Sequence, residues 1–173
     1  MITATVLFTD LVGFTEYTDV VGDVAAVDLL DQQTSITISV VPTYGGRIVK
    51  ELGDGLMIWF GSPCEGLAGA VSLMAAIETA RADGAFPLAI RMGLHHGEAI
   101  RRDDDLVGQT INIAARIAAL AGPGELLVSE IVVDACDAPM SSLQLNAVGP
   151  VVVKGVKDPV WLQRASGLPP DIN

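Results

Sequence analysis

Asp10 and Asp54 are the residues of this chain best placed to do chemistry. Asp10 follows the apolar run ATVLF in the segment LFTDLVGFT, so it stands where a strand ends and a small loop containing Gly13 begins. Asp54 lies between Gly53 and Gly55, flanked by the strand-like runs RIVKEL and LMIWF. An Asp-Gly pair between β-rich runs signals a hairpin, which places Asp54 at a tip with no bulky neighbour to shield its carboxylate. A turn former alone would account for Asp54, because Asp-Gly is a common turn pair. One carboxylate at a strand end and a second at a hairpin tip are also the minimal set of hard oxygen ligands for two divalent cations. Asn112 and Arg116, four apart in INIAARIAALAG, stack one turn apart on one face of a helix that is otherwise apolar. Polar groups on such a surface need partners.

Other candidates are better explained by structure. His95 and His96 are adjacent at the end of LAIRMGLHHGEAI, so on a strand they point to opposite faces, and no third ligand has metal-site spacing. The charge run from Arg101 to Asp104 reads as a solvated loop. Lys154, between the run VVV and Gly155, reads by itself as an exposed turn lysine. Cys64 and Cys136 lie far apart without metal-site spacing and read as reduced thiols of a cytosolic protein.

The elements that must position these residues follow in order. Residues 3–9 form a central strand. Residues 14–42 carry Val20, Val21, Val24, Val27, Leu30, Ile36, Ile38 and Val41 mostly at helical spacing, giving two helices or one broken at Gly22. The Asp54 hairpin comes next, then an alanine-rich helix over 65–82 that packs on the sheet, then the strand beginning at Leu88. Gly108 allows a sharp entry into the helix of Asn112 and Arg116, which stops at Gly122-Pro123-Gly124. A strand and short helix (GELLVSEIVVDAC), the stretch 143–153 and a last strand around Val160-Trp161-Leu162 complete a single domain over 1–165, with 166–173 as a loose tail. No repeat, linker or second domain is visible.

Composition bounds the function. Half of the 173 residues are apolar and 18% charged, enough for a full core. A net charge of −11 argues against a nucleic-acid partner, which calls for a basic face. No secretory signal opens the chain, and the greasiest region, LAGAVSLMAAIETARA, is broken by Glu78 and Arg81 and is too short for a membrane span. A soluble, cytoplasmic protein is expected, either a stand-alone enzyme or a catalytic fragment.

Four segments, in order from Thr5 to Leu162, resemble the class III nucleotidyl cyclases, the adenylyl and guanylyl cyclase catalytic domains. FTDLVGFT is similar to that family's first metal-aspartate segment and KELGDG to its second, with a purine-reading residue four positions before the aspartate. DLVGQTINIAAR is similar to the stretch carrying the second base-reading residue, the transition-state asparagine and the transition-state arginine; VKGVKDPVWL is similar to the closing lysine motif. The resemblance implies an α+β fold with a ferredoxin-like βαββαβ core, its antiparallel-rich sheet covered by helices. It implies two Mg²⁺ or Mn²⁺ ions held by Asp10, Asp54 and the Leu11 carbonyl. It further implies base reading by Lys50 and Asp105, a phosphate contact from Lys154, and a β- and γ-phosphate cradle of backbone N–H groups at Gly13, Phe14 and Thr15. Asn112 would orient the ribose and Arg116 stabilise the five-coordinate phosphorus. One departure is Glu98, where some relatives carry an arginine.

The implied base readers can be judged by chemistry alone. Adenine presents N1 as acceptor and its 6-amino group as donor, and guanine presents the reverse. A lysine only donates and an ionised aspartate only accepts, so Lys50 with Asp105 matches adenine and mismatches guanine twice. ATP is the expected substrate and cyclic AMP the product. Lys50 lies about 13 Å from Asp54 along an extended strand, at roughly 3.3 Å per residue, too far to serve one small substrate through the same hairpin arm. The resemblance implies the resolution, a head-to-tail homodimer in which Asp10 and Asp54 of one copy face Lys50, Asp105, Asn112, Arg116 and Lys154 of the other, giving two shared sites. Competing readings are a non-catalytic regulatory domain of the same fold, a guanylyl cyclase, or another two-metal nucleotidyl transferase such as a diguanylate cyclase or a polymerase palm. The last group lacks the Asn-x-x-x-Arg helix and the Lys-Gly-Val element.

Overall fold

The computed structural model describes residues 1–172. Its first strand, β1 (Ile2–Leu11), is buried on both faces, which is why its sequence runs apolar rather than alternating. Leu7 and Leu11 join one core with Ile58, Phe60, Leu67 and Leu94, whereas Ala4, Val6 and Phe8 join another with Met57, Ile111, Ala114 and Ala118. Helical layers therefore lie on both sides of the sheet.

The chain continues through α1 (Phe14–Val21), α2 (Asp23–Val40), a short 3-10 turn (Val41–Tyr44), β2 (Arg47–Leu52), β3 (Gly55–Phe60), α3 (Pro63–Ala82) and β4 (Ile90–Arg102). It ends with β5 (Asp105–Val107), α4 (Gln109–Leu120), β6 (Leu126–Ser129), α5 (Glu130–Ala135), β7 (Leu143–Val151) and β8 (Val160–Gly167). The strand order is β2-β3-β1-β4-β6-β8-β7, with β5 pairing off this path on β4. All pairings are antiparallel except β4 with β6. The first four strands, in the order β2-β3-β1-β4 with helical crossovers, form the expected ferredoxin-like core of an α+β fold. No helix among the described residues is long and apolar enough to cross a membrane.

Several expectations need correction. Gly22, at φ 86°, does break the first helical region, but Val20, Val24, Val27 and Ile38 lie exposed on it. The inward stripe of α2 is Ala26, Leu29, Gln33 and Thr37, two of them polar groups with internal partners. Periodicity that counts only apolar residues points to the wrong face. The alanine-rich helix starts at Pro63, two residues early, because the Ser62 hydroxyl accepts the Glu65 N–H in an N-terminal cap. Arg101 and Arg102 belong to a β4–β5 hairpin rather than a loop, with Asp103 (φ 55°) in its turn, though all four residues from Arg101 to Asp104 are exposed as expected. Leu168 and Asp171 donate to the Ser142 and Pro139 carbonyls, so this end of the chain is tied down rather than loose.

Cys64 and Cys136 are joined in a disulfide, with Cα atoms 4.8 Å apart, and are not free thiols. Separation of 72 residues says nothing about distance once α3 and α5 pack side by side. The inference of a reducing compartment from these cysteines loses its premise.

α4 lies against β4 through two glycines. A Cβ on Gly93 would fall 2.1 Å from the Ala118 backbone nitrogen, and one on Gly97 would fall 2.6 Å from the Thr110 hydroxyl. The first clash is with helix backbone, which cannot rotate away. Gly93→Ala is therefore expected to destabilise the protein by about 1–3 kcal/mol, the usual cost of overpacking, in urea denaturation. A stability equal to wild type would show that α4 is not seated as described.

Candidate active site

The end of β1 and the β2–β3 turn meet at the two candidate metal aspartates. Leu52 pairs with Gly55, so Gly53 and Asp54 make the two-residue turn, with Gly53 at φ 62°. Gly55 opens β3 instead of closing the turn, and its reason for being glycine is contact: a Cβ there would sit 2.4 Å from the Thr9 carbonyl oxygen. The hairpin tip thereby lies flush against β1. Three hydrogen bonds hold it there. The Leu11 N–H donates to Asp54 Oδ2 at 3.3 Å, Gln33 Nε2 to the Asp54 carbonyl at 3.3 Å, and the Leu56 N–H to Thr9 Oγ1 at 3.1 Å.

Burial raises the Asp54 carboxyl to about 6, aided by the hydrogen bond and negative charge of Asp10. A carboxylate whose affinity for a proton is raised beside a second acid is equally a site for a metal cation, and carboxylate oxygens with a strand-end carbonyl suit Mg²⁺ or Mn²⁺. The residues present thus fit two such ions as a partial ligand set. Among the described residues no group of three or more His, Cys, Asp or Glu side chains could hold an ion unaided, so any ion here would need phosphate oxygens or water to complete its coordination.

Lys50 and Asp105 meet at a second place. β2 and β5 bring Lys50 Nζ to 2.8 Å from Asp105 Oδ2, while Asp105 Oδ1 accepts the Leu106 N–H at 2.7 Å. The Lys50 hydrogen bond holds the Asp105 carboxyl below its ordinary range, so it remains an acceptor. Asn112 and Arg116 share the exposed face of α4, whose buried face is Thr110, Ile111, Ile113, Ala114, Ile117 and Ala118. Both side chains are exposed, and among the described residues neither has a hydrogen-bond or ion-pair partner. Lys154 is exposed between β7 and β8, and Gln109 ties that loop to the start of α4 by donating to the Gly155 carbonyl at 2.8 Å. Gly13 caps α1 at φ 76°, and Phe14 and Thr15 are its first residues, a helix start whose leading N–H groups have no intrahelical acceptor.

Two separate clefts result. One of about 250 Å³ is bordered by Asp10, Gly55, Arg91 and Ala119, and one of about 450 Å³ by Lys50, Asp103 and Asp105. A further cavity of about 360 Å³, between α4 and the β7–β8 loop, is lined by His95, Ser129 and Trp161 and holds none of the expected site residues. The histidines are structural: His95 bonds Ser129 and His96 bonds Thr5, on opposite faces of β4. Burial, with His96 adjacent, lowers His95 to about 4 and keeps it neutral. Glu98 is exposed and contributes its backbone carbonyl to Thr110.

Sequence reasoning missed Gln33 and Arg91. Gln33 lies fully inside α2's buried stripe, and Arg91 on β4 pairs directly with Asp10 on β1, where both Nε (2.9 Å) and Nη2 (2.5 Å) donate to Asp10 Oδ2. An arginine in an alternating strand gives no sign of its cross-strand register.

The raised Asp54 group carries a stability consequence with a definite sign. The native state binds this proton more tightly than the unfolded chain, whose carboxyl has the ordinary value of 3.8, so metal-free stability from this group falls as pH rises from about 4 to about 6 and stays low above. Asp54→Asn is expected to raise the melting temperature in EDTA at pH 7.5 and to flatten that decline. A lower melting temperature than wild type at pH 7.5 would contradict the assigned environment.

Comparison with known proteins gives a consistent family. The model of the adenylate and guanylate cyclase catalytic domain matches residues 2–163. A pH-sensitive adenylate cyclase of Mycobacterium tuberculosis is 31% identical over 164 residues, covering 92% of this chain and 40% of that protein. The crystal structure of the adenylyl cyclase CyaB from P. aeruginosa superposes with a TM-score of 0.77 at 26% identity, covering 99% of this chain and 97% of that one. The guanylate cyclase domain of RhGC from Catenaria anguillulae, in complex with GTP, shares the fold, with a TM-score of 0.81 at 18% identity and coverage of 96% and 97%. The chain spans about 40% of the length of the mycobacterial relatives it matches.

Proposed function

The chain belongs to the family of adenylate and guanylate cyclase catalytic domains, and from that membership we propose that it is an adenylyl cyclase, converting ATP to cyclic AMP and pyrophosphate at sites shared by two copies of the chain. The observation that carries the choice of base is the Lys50–Asp105 contact at 2.8 Å. The Lys50 hydrogen bond keeps Asp105 an acceptor, and an ammonium can only donate, so the pair offers a purine one donor and one acceptor. Inserted between them, adenine satisfies both, whereas guanine leaves each facing a like group at roughly 1–3 kcal/mol apiece.

The chain's own groups divide the reaction between them. Asp10, Asp54 and the Leu11 carbonyl would hold the two divalent ions, which when bound supply charge neutralisation for the triphosphate and acidify the ribose 3'-hydroxyl. Asn112 orients the ribose so that the 3'-oxygen is in line with the α-phosphorus, and Arg116 stabilises the charge that builds there as pyrophosphate departs. Lys154 contacts the phosphates, and the N–H groups of Gly13, Phe14 and Thr15 receive the β- and γ-phosphates. Asn112, Arg116 and Lys154 are exposed and have no side-chain partner among the described residues, which supports a site completed from outside the chain. So does the separation of the Asp10 cleft from the Lys50 cleft. A second copy, related by a two-fold axis, supplies the missing half twice over.

Incubation with Mn²⁺ and either ATP or GTP, with products separated by mass, is expected to yield cyclic AMP. Cyclic GMP as the main product would overturn the base assignment, and neither product would favour a non-catalytic domain. Asp54→Ala is expected to abolish turnover while leaving the far-UV spectrum unchanged. Arg116→Ala should do the same. Mixing the two inactive variants should restore up to about a quarter of wild-type activity, because half the dimers are mixed and each then has one intact site. No restoration on mixing would sink the shared-site geometry.

A further inference from the structure

Arg91 has no role in the reaction just described, yet it makes the tightest polar contact at the candidate metal site. Its two nitrogens grip a single oxygen of Asp10, Oδ2, from directly across the β1–β4 ladder. Its third nitrogen, Nη1, donates to the Ala119 carbonyl at 3.3 Å, in the last turn of α4. The side chains of Arg91 and Asp10 are 32% and 30% exposed, so solvent screens the pair only in part. Asp54, which accepts the Leu11 N–H, has no ion-pair partner among the described residues. The site therefore contains one built-in cation against two acids.

We infer that Arg91 is the resident counter-cation of Asp10, a positioning residue that opposes the entry of a free divalent ion. The inference rests on the reading of Asp10 and Asp54 as metal ligands. A guanidinium does not lose its proton in a protein, so its charge is permanent. An ion approaching Oδ2 must break two charge-assisted hydrogen bonds, and an ion approaching Oδ1 must settle beside a fixed positive charge. The bond to Ala119 keeps the guanidinium from swinging aside without a further loss. A metal that arrives on a nucleotide triphosphate brings its own negative charge, which offsets the repulsion. Arg91 thus selects the metal–nucleotide complex over the bare ion, and it neutralises Asp10 while no substrate is bound.

The test is titration of the whole chain with Mn²⁺ alone, without nucleotide, followed by electron paramagnetic resonance of the free ion. Wild type, Arg91→Gln, Arg91→Lys and Asp54→Ala are compared. Removing the charge is expected to lower the Mn²⁺ dissociation constant about tenfold in Arg91→Gln and to enlarge the rise in melting temperature on adding Mn²⁺. Arg91→Lys keeps the charge, loses the two-pronged grip and falls between the two. Unchanged or weaker binding in Arg91→Gln overturns the inference, because a merely structural arginine would not tighten a site by its loss. Should the glutamine variant fail to fold, a lysine variant no tighter than wild type overturns it equally. Wild type and Asp54→Ala binding Mn²⁺ alike would instead remove the metal assignment of Asp54, and the role of Arg91 with it.

Discussion

Like charge held at close quarters is the constraint on which this structure depends. Asp10 and Asp54 come from different parts of the chain, and the negative charge of Asp10 acts against ionisation of Asp54, while the one cation in contact with the pair among the described residues, Arg91, bonds Asp10 alone. The fold must impose their meeting. It does so by burying β1 on both faces, which fixes the height of Asp10, and by seating the β2–β3 tip on the end of that strand without room for a Cβ at Gly55. Gln33 and Thr9 hold the backbone from behind and beside. Apolar burial elsewhere sustains this local cost.

The same sheet carries the other half of the candidate chemistry on its opposite layer. Gly93 and Gly97 let α4 approach β4 so closely that helix backbone touches strand, and the apolar face of α4 is consumed in that contact. What remains outward is Asn112 and Arg116. Their exposure is thus a result of packing: a helix of alanines and isoleucines can be seated this tightly only if its few polar residues face away. Lys50 and Asp105 are treated differently. They satisfy one another across β2 and β5, which spares each an unpaired charge and holds the Asp105 carboxyl below its ordinary range.

Much of this was legible in the sequence because it rests on local rules. The Asp54 hairpin announces itself through glycines, Gly22 through a broken period, and α4 through its four-residue spacing. The failures share a cause. Arg91 opposite Asp10, Cys64 beside Cys136 and the buried Gln33 are each defined by a partner remote in sequence, and composition carries no trace of cross-strand register or of two helices lying together. The exposed valines of α1 and α2 show the converse error, in which residue type is taken for position. Ser62, by contrast, was a readable signal: Ser-x-x-Glu ahead of a helical run marks a start.

The Cys64–Cys136 bond divides the chain topologically. It closes a ring of sequence that contains Arg91, Asp105, Asn112 and Arg116, while Asp10, Lys50, Asp54 and Lys154 lie on the two free arms. In the unfolded ensemble the ring is restricted and the arms are not, a difference worth on the order of 4 kcal/mol in loop-closure terms for a ring of this size. The aspartate-bearing arm must therefore find its place on the sheet as an unconstrained strand joining a tethered one, so entropy weighs most heavily on the assembly of the charged mouth itself.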